Sequence, residues 1–336
     1  MRTIHQLNPG PITPLAFRAH GDFVDWLTCS GGSLAVTTYN SGKLAIVSAP
    51  IGRLDVHLAR LVRPMGVAYD AGRLAVATRD RIFVWRASPS SMGLELEATH
   101  VTGRLDVHEL AFDAQGLVFA NSRFNCVARP SNRVQFRRSW TPSFIPAKPR
   151  VPYDCCHLNG LGVRDGRVAM VTAFCTGAEP GSWRGAGRFA SGVALEVPLG
   201  AVVASGLCMP HSPRWDGQAW WLCNSGEGTL CRLDPHSGVC QSVAALPGFT
   251  RGLAFAAGRA IVGLSRIRKR HILDAPPVRR RFPRLRSGLW LVDPVTGCTT
   301  GSLEFVRGGR EVFDVAFLRD VTRSELQFEQ STANST

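Results

Sequence analysis

The chain has 336 residues and 45% hydrophobic content, enough for one large core, and its first 25 residues lack the continuous apolar stretch of a secretion signal. Charged residues are only 19%, against 34 Gly and 21 Pro, which suits many short strands joined by turns and argues against long charged helices. The formal net charge of +14 does not by itself mark a nucleic-acid binder: 36 of the 39 basic residues are arginine, a compositional skew, and they are not gathered on a recognisable reading element.

No run approaches the roughly 18 apolar residues of a membrane helix. The ten cysteines are scattered, and Cys208, Cys223 and Cys231 sit inside apolar runs, where they read as small buried hydrophobes rather than a disulfide framework. A cytoplasmic location is the expectation.

In chain order, a pattern of strand, tight turn and strand recurs. It appears as MGVAYDAGRLAVAT from Met65, HELAFDAQGLVFAN from His108, NGLGVRDGRVAMVT from Asn159, HSPRWDGQAWWLCN from His211 and RGLAFAAGRAIVGL from Arg251. A truncated copy, FDVAFLRD, begins at Phe313. The turns are built on Asp-Ala-Gly, Asp-Gly or Ala-Ala-Gly, whose glycines supply the positive φ of a tight hairpin. Further strands follow each copy, such as RIFVWRAS from Arg81 and TLCRLDPHSG from Thr229, making four per unit.

The starts lie 43, 51, 52, 40 and 62 residues apart, the spacing of four-stranded propeller blades. After Phe313 too few residues remain for three more strands, whereas SLAVTTY from Ser33, KLAIVSA from Lys43 and VHLARLV from Val56 lack a first strand. The expectation is an all-β, six-bladed propeller, with seven blades as the fallback. Residues 313–318 would supply the innermost strand of the N-terminal blade and so close the ring. Residues 1–25 read as an N-terminal extension, 26–321 as one propeller domain and 322–336 as a C-terminal tail.

Three segments depart from the repeat. Arg129–Cys156 carries the proline-rich SWTPSFIP; Phe174–Ser191 is glycine-rich with Trp183 and Phe189 as candidate anchors; Arg266–Arg286 is strongly basic. The echo GRLDVH at Gly52–His57 and Gly103–His108 places its two histidines differently within their blades and reads as accidental.

The strings DCCHLNGLGV, MPHSPRW, NSGEG, PGFTRGLAF and EVFDVAF, in this order, resemble a family of uncharacterised bacterial proteins, conserved but of unknown activity and sometimes fused to tetratricopeptide repeats. The resemblance spans Trp26 to Val321. It implies a propeller-like fold and carries over no catalytic residues. The basic Arg266–Arg286 segment departs from the family's pattern.

Aligning the starts brings distant residues to one end of a propeller's channel. His108, His211, Arg251 and Asn159 fall at the start level, His157 and Glu311 two positions earlier, and Glu109 and Asp314 one position later. One reading is catalytic: His108, His157 and His211 as ligands of a divalent Zn, Fe or Mn ion, or a histidine base with Arg251 stabilising an oxyanion. In that reading Asn159, Glu109, Glu311, Asp314 and Asn224 contact the ligand. The competing reading is that these polar groups bond only to backbone and water. Cys155 and Cys156 beside His157 would suit a soft metal, but no CxxC pair completes such a site. No Walker, GxGxxG, HExxH or GxSxG element is present. The candidate functions are therefore a small-molecule pocket, with or without metal-assisted chemistry, and a non-catalytic scaffold docking a partner protein through its long loops and basic segment.

Overall fold

The computed structural model describes residues 14–87, 93–146, 153–267 and 276–322. Six antiparallel sheets stand around one axis as the blades of a six-bladed β-propeller. Numbering blades from the N-terminus, the innermost strands are Asp314–Arg319, Val67–Asp70, Val107–Asp113, Leu158–Arg164, Pro210–Trp215 and Phe249–Ala256, each packed beside the innermost strands of its neighbours.

Closure follows the expected route. Asp314–Arg319 pairs with Gly32–Thr38, and Lys43–Ser48 and Asp55–Arg60 complete blade 1. A second latch was not expected. Ala16–Gly21, within the segment read as an extension, pairs along Thr299–Arg307 as a fifth strand on the outside of blade 6. The helix Phe23–Cys29 then buries Phe23, Trp26 and Leu27 in the cluster between blades 6 and 1.

The core is divided among the blade interfaces. In the strand Gly32–Thr38, Leu34 and Val36 join the cluster shared with blade 6, while Ala35 joins the one shared with blade 2. That alternation is the two-residue period of a strand with both faces covered, and it explains why these strands read as continuous apolar runs.

Where prolines argued against regular structure, Arg137–Trp140 forms the outer strand of blade 3, its alternate residues exposed, as an edge strand permits. Pro213 lies inside an innermost strand, where one edge faces the channel and needs no ladder N–H. His57 belongs to the outermost strand of blade 1 and His108 to the innermost of blade 3, so the two GRLDVH copies are unrelated in space. Residues 1–13, 268–275 of the basic segment and 323–336 of the tail lie outside the described residues. No helix among the described residues is long and apolar enough to cross a membrane.

Candidate functional site

The six innermost strands carry the channel in levels set by position along the strand. At the start level and two positions before it, His108, Arg251, Met65, Phe313, His157, Asp106, Phe249 and Glu311 line a cavity of about 310 Å³ at one mouth. Arg63, Asp106, His157 and Met209, each two positions before a start, share a left-handed backbone with φ near +50°. Non-glycine residues adopt this conformation rarely. Its recurrence shows that four blades enter their innermost strand through the same kink.

The three predicted histidines do gather at this mouth, but as a belt rather than a ligand set. His108 meets His157 edge-on at 4.6 Å between ring centroids, and Phe174 stands 4.7 Å from His157 and 5.2 Å from His211. Phe313 continues the belt beyond His108, and Phe249 beyond His211. His211 is buried behind it and does not line the cavity.

Each ring has its Nδ1 occupied. His108 donates Nδ1–H to the Asp106 carbonyl at 3.0 Å, with Ser122 Oγ at 2.8 Å, and that hydroxyl itself donates to the Leu158 carbonyl at 2.6 Å. His211 repeats the device with the Met209 carbonyl and Ser225 Oγ. A carbonyl only accepts, so both rings carry the proton on Nδ1 and keep a lone pair on Nε2. Burial holds both well below the usual histidine range, helped for His108 by His157 and for His211 by Arg251.

His157 differs: its Nδ1 lies 2.6 Å from Asp154 Oδ2, its backbone N–H donates to Asp154 Oδ1, and its ring stacks 4.3 Å from Trp183. Asp154 thus fixes the ring as a base-orienting carboxylate does. With the rings edge to face and their Nδ1 atoms committed, the expected tri-histidine metal site is not formed. Among the described residues no group of three or more His, Cys, Asp or Glu is placed to hold a metal ion. Cys156 is fully buried, its thiol pushed well up by burial.

Arg251 enters the cavity wall with its Cζ 3.3 Å from the centre of the Phe313 ring. Among the described residues its guanidinium makes no hydrogen bond and no ion pair. Burial lowers it to about 10, against the pull of Glu311, Asp314 and Glu109, so it stays a cation at neutral pH. Glu311 lines the same cavity and accepts from Asn40 Nδ2.

One position deeper, the residues alternate around the ring as Asp314, Gly66, Glu109, Gly160, Ser212 and Gly252. Each acceptor reaches a backbone N–H of the next blade: Asp314 Oδ2 to Val67 at 3.0 Å, Glu109 Oε2 to Leu161 at 2.7 Å and Ser212 Oγ to Gly252 at 3.0 Å. The glycines are required by crowding. A Cβ on Gly66 would lie 2.8 Å from Glu109 Cα, and one on Gly252, at φ +79°, 2.8 Å from Asp314 Cα. Glu109 and Asp314 therefore face inward but belong to a buried layer below the cavity, not to its wall.

Arg214 holds this layer together. It stands three positions after its start, where the other blades carry only Ala68, Ala111, Gly162, Ala254 and Ala316, so one long side chain fills the space they leave. Its Nη2 lies 2.6 Å from Glu109 Oε1 and 3.8 Å from Asp314 Oδ1. Its remaining N–H groups donate to the carbonyls of Leu253, Leu161 and Pro213. Arg214 thereby ties five of the six blades. Burial raises Glu109, Arg214 opposing; burial and the neighbouring Glu109 raise Asp314 to about 7.

Two predicted contact residues serve the frame instead. Asn159, 1% exposed, accepts from Thr172 Oγ1, and Asn224 Oδ1 accepts from the Cys208 N–H. Asp154, Asp106, Trp183, Phe174 and Tyr39 were not among the predicted site residues; Asp106 carried a sequence signal, two positions before the His108 start, and so did Trp183, as an anchor of its glycine-rich loop. Part of the basic segment is tied down, since Arg266 and Arg286 both pair with Glu304.

The fold is shared with solved proteins of very different sequence. A chain of a nidogen/laminin complex matches with a TM-score of 0.56 at 10% identity, covering 86% of this chain and 99% of that one. A protein of unknown function from Bacteroides caccae matches with a TM-score of 0.55 at 12% identity, covering 86% and 100%. At such identities the likeness speaks for the fold alone. No curated protein matches in sequence. A family model described as a domain of unknown function, DUF4915, matches residues 21–326, nearly the whole propeller with its closing strand Asp314–Arg319 but not the outer strand that ends at Gly21, and the chain therefore belongs to that family.

Proposed function

We propose that the histidine-lined mouth binds a small organic anion, with Arg251 as its counter-charge and the aromatic belt as its wall. The observation that carries this reading is the Arg251 guanidinium, half-buried at the cavity wall with a ring on one side and no carboxylate at ion-pairing distance among the described residues. A partly desolvated cation with no anion beside it is costly, and a bound carboxylate or phosphate relieves that cost. A volume of about 310 Å³ sets the scale at a small metabolite. His157, aimed by Asp154, and the Nε2 lone pair of His108 give the same pocket the means to accept a proton from what it binds.

Calorimetric titration with benzoate and with inorganic phosphate tests the reading. Arg251→Met should weaken whichever anion binds by about tenfold or more, the loss of one charge-assisted contact. Equal affinity in the variant, or no binding of either anion, overturns it.

A further inference from the structure

The buried layer beneath the pocket has a charge count that its geometry does not resolve. Glu109 and Asp314 are 3% and 2% exposed, come from blades 3 and 1, and share one guanidinium at ion-pairing distance. The groups facing them from the surrounding innermost strands are Arg214 of blade 5, which is the shared partner, and Arg251 of blade 6, one level up. Blades 2 and 4 present Gly66 and Gly160. From the second strand of blade 5 the neighbour is the Cys223 thiol, which burial keeps neutral. Two buried carboxylates against one adjacent cation cannot both stay ionised without cost, and the ordinary solution is a proton held between them.

We infer that Glu109 and Asp314 together hold one exchangeable proton, and that an anion bound on Arg251 locks that proton in place, making the pocket a proton-coupled anion site. The second half rests on the pocket reading above; the first does not. In the empty pocket the field of Arg251 loosens the pair's hold on that proton, so that it is partly released near neutrality. An anion cancels that field, and the pair takes up a proton in compensation. With Asp314 near 7, anion affinity should be highest in mild acid and fall as pH rises through neutrality. The limit well above the midpoint is about tenfold per pH unit.

Infrared spectroscopy of the ligand-free protein at pH 6 to 9 tests the first half. The carbonyl stretch of a protonated carboxyl group should be present near neutral pH and bleach as pH rises. It should vanish in Glu109→Gln and equally in Asp314→Asn, because the surviving carboxylate then pairs one-to-one with Arg214; both amides keep the acceptor for Leu161 or Val67. A band that survives in one variant assigns the proton to a single residue and overturns the sharing, and no band at all overturns the whole inference. Benzoate titrations in buffers of different ionisation enthalpy test the second half. Proton uptake of up to one per benzoate bound is expected in the wild type and none in Asp314→Asn. Binding without uptake overturns the coupling while leaving the pocket reading intact. A band with no benzoate binding leaves the shared proton standing and removes both the coupling and the pocket.

Discussion

The two mouths of this channel are made by the same six strands, four or five residues apart, and they differ in nearly every physical respect. At the start level the strands present His108, Arg251 and their loop-borne neighbours in a cavity of about 310 Å³. Four positions further on they present Tyr69, Phe112, Val163, Trp215, Phe255 and Phe317 around a wider opening of about 490 Å³, with Arg214 at its floor. Several of these far-mouth aromatics are engaged within the frame: Arg73 lies over Phe112, Arg164 over Trp215, and Phe255 packs on Trp221. At the near mouth Arg251 faces the Phe313 ring and, among the described residues, makes no hydrogen bond or ion pair. Blades of one plan thus give the channel two distinct ends where charged residues interrupt the repeat, and the Glu109, Asp314 and Arg214 layer lies between them.

Removing that layer's cation should have the largest consequence. Arg214→Met leaves two buried carboxylates without their partner and five blades without their common tie, so a loss of about 3–5 kcal/mol is expected by chemical denaturation, the range for breaking one side of a buried pair. A loss below about 1 kcal/mol would mean the layer is solvated and the separation of the mouths is not electrostatic.

The histidines of the near mouth should show themselves in the acid limb of the stability curve. His211 is buried and held well below the usual range, so below about pH 6.5 the unfolded chain takes a proton that the folded one refuses. Stability then falls with falling pH, by about 1.4 kcal/mol per unit for each such histidine. Asp314 works in the opposite sense: with its folded value raised to about 7, it favours the folded state in acid and loses that contribution as pH rises through neutrality. Comparing His211→Asn with the wild type isolates the first effect. The difference between them should grow in the variant's favour by about 1.4 kcal/mol per unit below pH 6.5, and parallel curves would show that the ring is already protonated when folded.

How far these features were legible in the sequence follows the repeat itself. The turns Asp165-Gly166 and Asp216-Gly217 and the unpartnered strand after Ser33 were enough to give blade number and closure, since hairpin chemistry is local and a missing first strand can be counted. Aligning starts then brought His108, His157 and Arg251 to one mouth, because position along an innermost strand sets depth in the channel. The alignment gave depth but not direction. It could not show that Asn159 turns to Thr172, that Asn224 holds the Cys208 backbone, or that the histidine rings meet edge-on. Asp154 and Trp183 come from segments outside the repeat, where no register exists to align. Arg214 was hidden in plain view, its position three residues past the start otherwise filled by alanine and glycine; a single large residue in a column of small ones was the signal. The outer strand Ala16–Gly21 lacked the turn signature by which the other strands were found.

The smallest expected effect is the sharpest check on the separation of the two ends. Phe255 lines the far mouth, half-buried, and packs against Trp221 on the opposite side of the charged layer from Arg251. Phe255→Leu conserves apolar character and most of the volume, so a cost of about 1 kcal/mol is expected. If the buried layer insulates the mouths, benzoate affinity at the near mouth should change by less than about twofold, within the additivity expected of sites without shared partners. Arg214 joins the two levels, because its Nε donates to the Leu253 carbonyl two residues before Phe255 and its Nη2 lies 2.6 Å from Glu109 Oε1. A change in affinity well beyond twofold, matched by a shift in its pH dependence, would therefore show that the channel acts as one continuous site joined through Arg214. A change without any shift in pH dependence would instead place the disturbance in the strand Phe249–Ala256 itself, which carries both Arg251 and Phe255.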